Sequence, residues 1–404
     1  MESLAQDVRG ALRRLAKTPG FTIVALATLA LGIGANTALF SVVHAVLLEA
    51  LPFRDPGRLY WIYSRHTSTD RYPFQLPEFC DYRDQNRTMD SVAGFANWSP
   101  NLTGDGPAER LAGLRVSDGF FEVLGAPAAA GRLLQPGDDT PGNEKVVVLT
   151  HGLWQRRFGG DPAVVGSRLT LNGEPFTVVG VLPRTFFFPI RNVDIAVPLA
   201  PESDPWRRNR DSASFIRILA RARAGVSPAQ IADDWNAVAA RLQKEFPRSY
   251  TRKKGVLAVS YREELTRNFS QALWVLLGAV ALLLLIACAN LANLMLVRAT
   301  ERRREMAIRQ ALGAGTARLA RQLFVESALL AIGGAALGVL LAFWAVPALV
   351  ALSPAAMPRA QEIRLSLPVL FFTAGVAALA GVACGLLPAL RSARMDPNQD
   401  LKAE

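Results

Sequence analysis

The chain has 404 residues, 50% of them hydrophobic, yet it carries 45 Lys and Arg against 34 Asp and Glu, a formal charge of +11. Apolar and basic together fit an integral membrane protein whose cations lie beside anionic lipid headgroups. The same numbers argue against a nucleic-acid binder, because the basic residues gather at the ends of apolar runs and not along one soluble face.

Residues 1–20 form a basic amphipathic segment containing Arg9, Arg13, Arg14 and Lys17. The charge-free run 21–48 follows. At about 28 residues it exceeds both the roughly 20 needed to cross a bilayer and the roughly 7–15 of a signal-peptide core, so it reads as an uncleaved anchor. Within it Thr37, Ser41 and His44 share a face, with Asn36 beside them. Such groups either mark a substrate path or hydrogen-bond a neighbouring helix or their own preceding turn, and the second reading is preferred.

Residues 49–268 are long enough for one or two ordinary domains and mix strand and helix signals. "KVVVL" at 145–149 predicts a buried strand, and Thr150 caps a helix reaching Phe158. "SRLTLNGEPFTVVGV" alternates on both sides of Asn172-Gly173, a hairpin signal. "FIRILARA" at 215–222 predicts a half-buried strand. Ser227-Pro228 then opens a helix with Ile231, Trp235, Val238 and Leu242 on one face. The expected domain is a βαβ-like unit packed against a smaller, strand-rich lobe. His66 and His151 have no metal-ligand spacing, and no H-E-x-x-H, C-x-x-C or G-x-S-x-G occurs there. The pairs Asp138-Asp139 and Asp233-Asp234 read as solvated surface. Cys80 stands alone in this domain, so a packed core must hold it together.

Three further charge-free runs complete the pattern, at 269–297, 327–358 and 365–390. The resulting spans are placed at 269–297, 323–350 and 367–390, with a short outer loop at 351–366 and a tail at 391–404. Pro347 is expected to end or kink the third span near Val346. The spacing Gly334–Gly338 and Gly381–Gly385 allows close helix approach, and packing within the chain is preferred to a dedicated dimer face. Asn290 and Asn293 in span two receive the same structural reading as Thr37. Cys288 and Cys384 read as apolar filler. No ionisable group besides His44 falls within the apolar runs, which argues against ion-coupled transport. The dipeptide Gly-Lys never occurs, so the chain contains no P-loop.

Arginines crowd the 298–322 loop, the N-terminal segment is basic as well, and the tail after span four carries Arg391 and Arg394. By the positive-inside rule all three face the cytoplasm, leaving 49–268 outside the plasma membrane. In this loop "ERRREMAIRQALGAG" reads as a short helix stopped by Gly313 and Gly315. Glu301, Arg302, Arg303, Glu305, Met306, Ile308, Arg309 and Leu312 are its candidate docking residues for a partner.

The same stretch, extended to "TARLARQLFVES", resembles the loop between spans two and three of FtsX-like and MacB-type ABC transporter permeases. "LRRLAKTPGFTIVALATLALGIGANTALFSVV" resembles the acidobacterial duplicated orphan permeases, in single-unit form. "VVVLTHGLWQRRFGGDPAVVGSRLTLNGEPFTVVGVLP" resembles the MacB-type periplasmic core domain. The resemblance implies an α+β membrane protein with four transmembrane helices. A large mixed α/β periplasmic domain, porter-like with a smaller lobe, would be inserted between helices one and two. It implies a non-enzymatic permease subunit of an exporter or mechanotransmission complex, coupled through 301–313 to a separate ABC ATPase. That ATPase, and not this chain, would bind ATP and Mg. A second permease unit, membrane lipid and a periplasmic partner are the other implied partners. The alternative is an FtsX-like signalling protein that controls a periplasmic cell-wall hydrolase.

Overall fold

A computed structural model describes residues 2–49, 51, 53–104, 106–186, 188, 190, 193–301, 316–352 and 363–393. It divides into two compact units, Met1–Glu49 with Thr266–Glu404, and Ala50–Leu265.

The first unit begins with α1 (Glu2–Lys17), which meets α2 (Pro19–Val43) at Thr18. Proline at the first helical position needs no N–H partner and fits a restart there. The end of α2 widens into a π-helical turn, His44–Leu48. Three further membrane helices belong to it from Thr266 onward and are described below.

The second unit is built on one 12-stranded sheet. Its strands in chain order are β1 (Leu59–His66), β2 (Met89–Trp98), β3 (Asn101–Thr103), β4 (Glu109–Arg110), β5 (Gly113–Val116), β6 (Ala130–Gly131), β7 (Val146–Leu149), β8 (Arg168–Leu171), β9 (Glu174–Val181), β10 (Ile195–Pro198), β11 (Arg217–Ala222) and β12 (Lys253–Ser260). The spatial order is β12-β1-β11-β2-β5-β10-β7-β9-β8-β3-β4, with β6 paired to β9. The pairs β5/β10 and β7/β9 are parallel, and the remaining pairs are antiparallel. The strand-rich end has a core of its own, with Leu149, Leu153, Leu169, Leu171 and Val178, and the ladder continues into it through β10 and β7.

Helices α3 (Leu76–Gln85), α4 (Phe120–Leu124), α5 (His151–Phe158) and α6 (Pro228–Glu245) cover this sheet. Local chemistry sets several of these elements. Thr150 accepts from the Leu153 N–H at the start of α5, and Ser227 with Gln230 forms a capping box on α6. Asn172 and Gly173 take φ of 52° and 84°, the paired positive angles that a two-residue hairpin with right-handed strand twist requires. Ile231, Trp235, Val238 and Leu242 are buried, as the helical spacing predicts, in a core with Phe74, Phe79 and Tyr82.

The chain then enters α7 (Tyr261–Glu301), 41 residues long, which starts well before the expected span at 269. It is followed by α8 (Thr316–Leu352) and α9 (Leu367–Ala393). Pro347 lies inside α8 and does not end it at Val346. Proline removes one helical hydrogen bond, and here that loss falls in the last turns. Among the described residues four helices are long and apolar enough to cross a membrane: Pro19–Leu48, Tyr261–Met295, Phe324–Ala351 and Leu367–Gly385.

Candidate functional site

In the sheet unit, the segment that follows the first span and the one that precedes the second share one core. Leu51 and Phe53 on the way in, and Tyr261 on the way out, pack with Leu59, Trp61, Phe95, Phe120 and Leu219. Tyr261, the first residue of α7, is fully buried. Its ring stacks on Trp61 with centroids 6.2 Å apart and meets Phe53 edge-on at 5.6 Å. Trp61 in turn meets Phe95 edge-on at 5.5 Å, which carries the contact into the centre of the sheet. Aromatic pairs in these geometries add stabilisation beyond their buried area.

Polar contacts fix both segments around this aromatic plug. Glu264, one turn into α7, pairs with Arg71, whose guanidinium lies 5.3 Å over the Tyr63 ring. Burial, and then the Glu264 carboxylate beside it, push the Tyr63 phenol well above its ordinary value. On the incoming side, Arg221 of β11 donates to the carbonyls of Val123 and Asp55, and Arg58 donates to the Ala222 carbonyl at 2.8 Å. The result is a joint that ties two chain segments to adjacent strands β1 and β11. No sequence motif announced it. In hindsight, the signal was a tyrosine and an acidic pair, "YREEL", opening a helix whose membrane part begins later.

A second buried polar group lies on α3 and β12. The Lys253 ammonium contacts Glu78 at 2.8 Å and donates to the Gln75 side chain at 2.7 Å, with both charged side chains nearly inaccessible. A cavity of about 170 Å³, lined in part by Tyr82, Asn236, Tyr250 and Lys253, adjoins this pair. His66 is held below its usual value by burial and by Lys253.

Two carboxylates expected to be solvated are structural. Asp234 accepts from the Arg87 and Thr88 N–H groups and the Thr88 hydroxyl, about 147 residues away in sequence. Asp139 accepts from the backbone of Ala200 and Asp118, and burial raises it to about 6. Asp138 is paired with Arg132 at 2.5 Å, whereas Asp233 is exposed. Among the described residues no group of three or more His, Cys, Asp or Glu is placed to hold a metal.

In the membrane unit, α2 is the most enclosed of the described spans and α7 the least. Small residues let α2 sink in. A Cβ on Gly338 would lie 2.9 Å from the Gly34 nitrogen and 3.1 Å from the Ala30 oxygen, and one on Gly334 would lie 2.6 Å from the Leu29 Cβ. Gly381 faces Ala331 and Gly385 faces Ser327 across the α8–α9 seam. Polar groups bridge the same helices: Thr37 meets Thr373 hydroxyl to hydroxyl at 2.9 Å, and Asn36 donates to the Val280 carbonyl at 2.9 Å. Thr37, Asn36 and Ser41 also donate to carbonyls one turn back, so every one of these groups is satisfied by helix packing. Asn290 and Asn293 are exposed. The proposed docking helix lies outside the described residues. Only Glu301 is placed, as the last residue of α7, while Arg302, Arg303, Glu305, Met306, Ile308, Arg309, Leu312 and Gly313 are not.

Four apolar helices, with a sheet unit inserted between the first and second, define a multi-pass membrane protein of the permease type. Residues 22–238 match the MacB-like periplasmic core domain, and residues 277–397 match the FtsX-like permease C-terminal domain. The chain belongs to the MacB-like periplasmic core domain family, whose match covers more than half of it. It is 28% identical over 299 residues to the macrolide export ATP-binding/permease protein MacB of Hahella chejuensis, covering 72% of this chain and 42% of that protein. The namesake from Campylobacter jejuni serotype O:23/36 is 25% identical over 414 residues, covering 99% of this chain and 60% of the relative. The chain thus spans about half the length of these relatives. The periplasmic region of MacB from Actinobacillus actinomycetemcomitans aligns with 53% of this chain and 93% of its own at 16% identity, with a TM-score of 0.39.

Proposed function

We propose that this chain is the membrane subunit of an ABC-type export complex, converting ATP hydrolysis in a separate ATPase into movement of its outer unit. The observation that carries this reading is the joint: α7 starts inside the sheet core at Tyr261 and is described as one helix through Glu301, next in sequence to the candidate docking residues. A push received on 302–313 therefore has one uninterrupted helix through which to reach Trp61 and Phe53. The buried polar residues of α2, Asn36, Thr37 and Ser41, all donate to helix carbonyls, so among the described residues they mark no polar path, and the moving part is the outer unit.

In this reading α1, the 302–315 segment and the C-terminal tail face the cytoplasm, and residues 50–265 face the periplasm across the inner membrane. ATP and Mg belong to the partner. The thinly buried α7 is the surface for a second permease unit, and the sheet unit is the surface for a periplasmic partner. The test is recovery of ATPase activity with the tagged full chain from native membranes. Arg309→Glu and Met306→Asp are expected to lose it while the chain stays folded. Unchanged recovery in both variants refutes the coupling role of that helix.

A further inference from the structure

Helix α1 has a face that the bundle does not use. Ala11 and Leu15 are buried, with Leu15 in a cluster that includes Ala25, Leu291, Met295, Leu330 and Cys384. Asp7 pairs with Arg321 at the start of α8, at 2.5 Å. These contacts hold one side of α1 against α2 and α8. Since α2 begins at Pro19, one residue beyond Thr18, α1 lies at the bilayer boundary.

The rest of its circumference is ordered by chemistry. With 3.6 residues per turn, and Arg9 set at zero, Arg13 and Lys17 fall at about 40° and 80°, while Ala16 and Leu12 fall at about −20° and −60°. Leu15 and Ala11 continue round at about −120° and −160°, on the bundle side. Going round the helix, the buried seam thus gives way to an apolar edge, with Leu12 53% exposed, and then to a row of three exposed cations. Successive members of that row are separated by one turn. A helix lying on the surface of a protein in water gains nothing from an exposed leucine beside a basic row. A helix lying in a membrane interface places the leucine against acyl chains and the cations at phosphate level.

We propose that α1 is an in-plane interfacial helix, and that Arg9, Arg13 and Lys17 form a binding row for the phosphodiester headgroups of anionic phospholipid. Its occupant is membrane lipid and not free phosphate, because the apolar edge at Leu12 serves only a ligand that carries acyl chains. The inference rests on the four-span reading and not on the identity of any ATPase.

The test is titration of headgroup-labelled phosphatidylglycerol into the full chain held in an uncharged detergent, with labelled phosphatidylcholine as the comparison. Phosphatidylglycerol is expected to bind more tightly, and high salt should remove the preference. Each of Arg9→Gln, Arg13→Gln and Lys17→Gln should weaken it by about fivefold, from about 1 kcal/mol per cation at a membrane surface. Leu12→Gln should weaken both lipids alike. None of these outward changes should lower the thermal midpoint, since none touches the Asp7–Arg321 pair or the Leu15 cluster. Equal binding of the two lipids, an unaltered triple variant, or displacement by excess inorganic phosphate would overturn the proposal. So would a triple variant that loses an ATPase subunit while keeping its lipid preference, because the row would then serve a protein partner.

Discussion

Truncating Tyr261 at the root of α7 isolates the joint from everything else in the fold. The ring is fully buried, stacked on Trp61 and edge-on to Phe53. Tyr261→Ala removes both ring contacts and leaves a cavity, with an expected cost of about 3–5 kcal/mol by analogy with large-to-small core changes. Domains have about 5–15 kcal/mol in hand, so most molecules stay folded at room temperature. For a unit of this size each kcal/mol shifts the midpoint by about 2–4 °C, giving a fall of roughly 6–20 °C. Tyr261→Phe keeps both ring contacts and removes only a buried hydroxyl that finds no partner among the described residues. It should change stability by less than about 1 kcal/mol, or raise it, since an unpaired buried polar group is itself unfavourable. Thermal unfolding of the full chain in detergent, followed through tryptophan emission, measures both. A loss below about 1 kcal/mol for the alanine variant refutes the joint. So does a phenylalanine variant as damaged as the alanine one.

Three further outcomes follow from other sites. Gly338→Ala sets a Cβ against the backbone of α2 and should cost about 1–3 kcal/mol, whereas Gly375→Ala, whose Cβ meets nothing within 4 Å, should be silent. Equal midpoints for the two would contradict the seam. Lys253→Met strands the Glu78 carboxylate in the core and should cost about 3–5 kcal/mol, with Glu78→Gln in the same chain recovering part of it in a double-mutant cycle. Asp139 has a folded-state value raised to about 6, so the folded chain holds its proton over a pH range where the unfolded chain has lost it. Its contribution is therefore greatest below the unfolded value, about 4, and is lost as pH rises through about 6. Asp139→Asn should flatten the pH dependence of stability across that window, and an unchanged slope between the two chains would refute the assignment.

What could be read from the residues alone was whatever short-range chemistry decides. The Asn172-Gly173 hairpin, the Thr150 cap and the Ser227 cap each depend on groups within a few positions, and each forms where expected. The four apolar runs were equally plain, because a bilayer demands uninterrupted length. The continuous sheet was not legible, since β5 meets β10 and β7 meets β9 through pairings that no local period encodes. Asp139 and Asp234 looked like solvated pairs because their partners, Ala200 and Thr88, are far away along the chain. The joint was missed for the same reason. Tyr261 is informative only once Trp61 and Phe53, some 200 residues earlier, are known to surround it.

The account depends most on which side of the membrane each segment occupies. The three native cysteines are buried, so single new cysteines at positions 305 and 170 can be labelled selectively with a membrane-impermeant maleimide. Position 170 should react in cells whose outer membrane alone has been opened, and position 305 only after the inner membrane is breached. Labelling of 305 before that breach, or protection of 170 until it, would contradict the transmission of force from a cytoplasmic ATPase to a periplasmic unit.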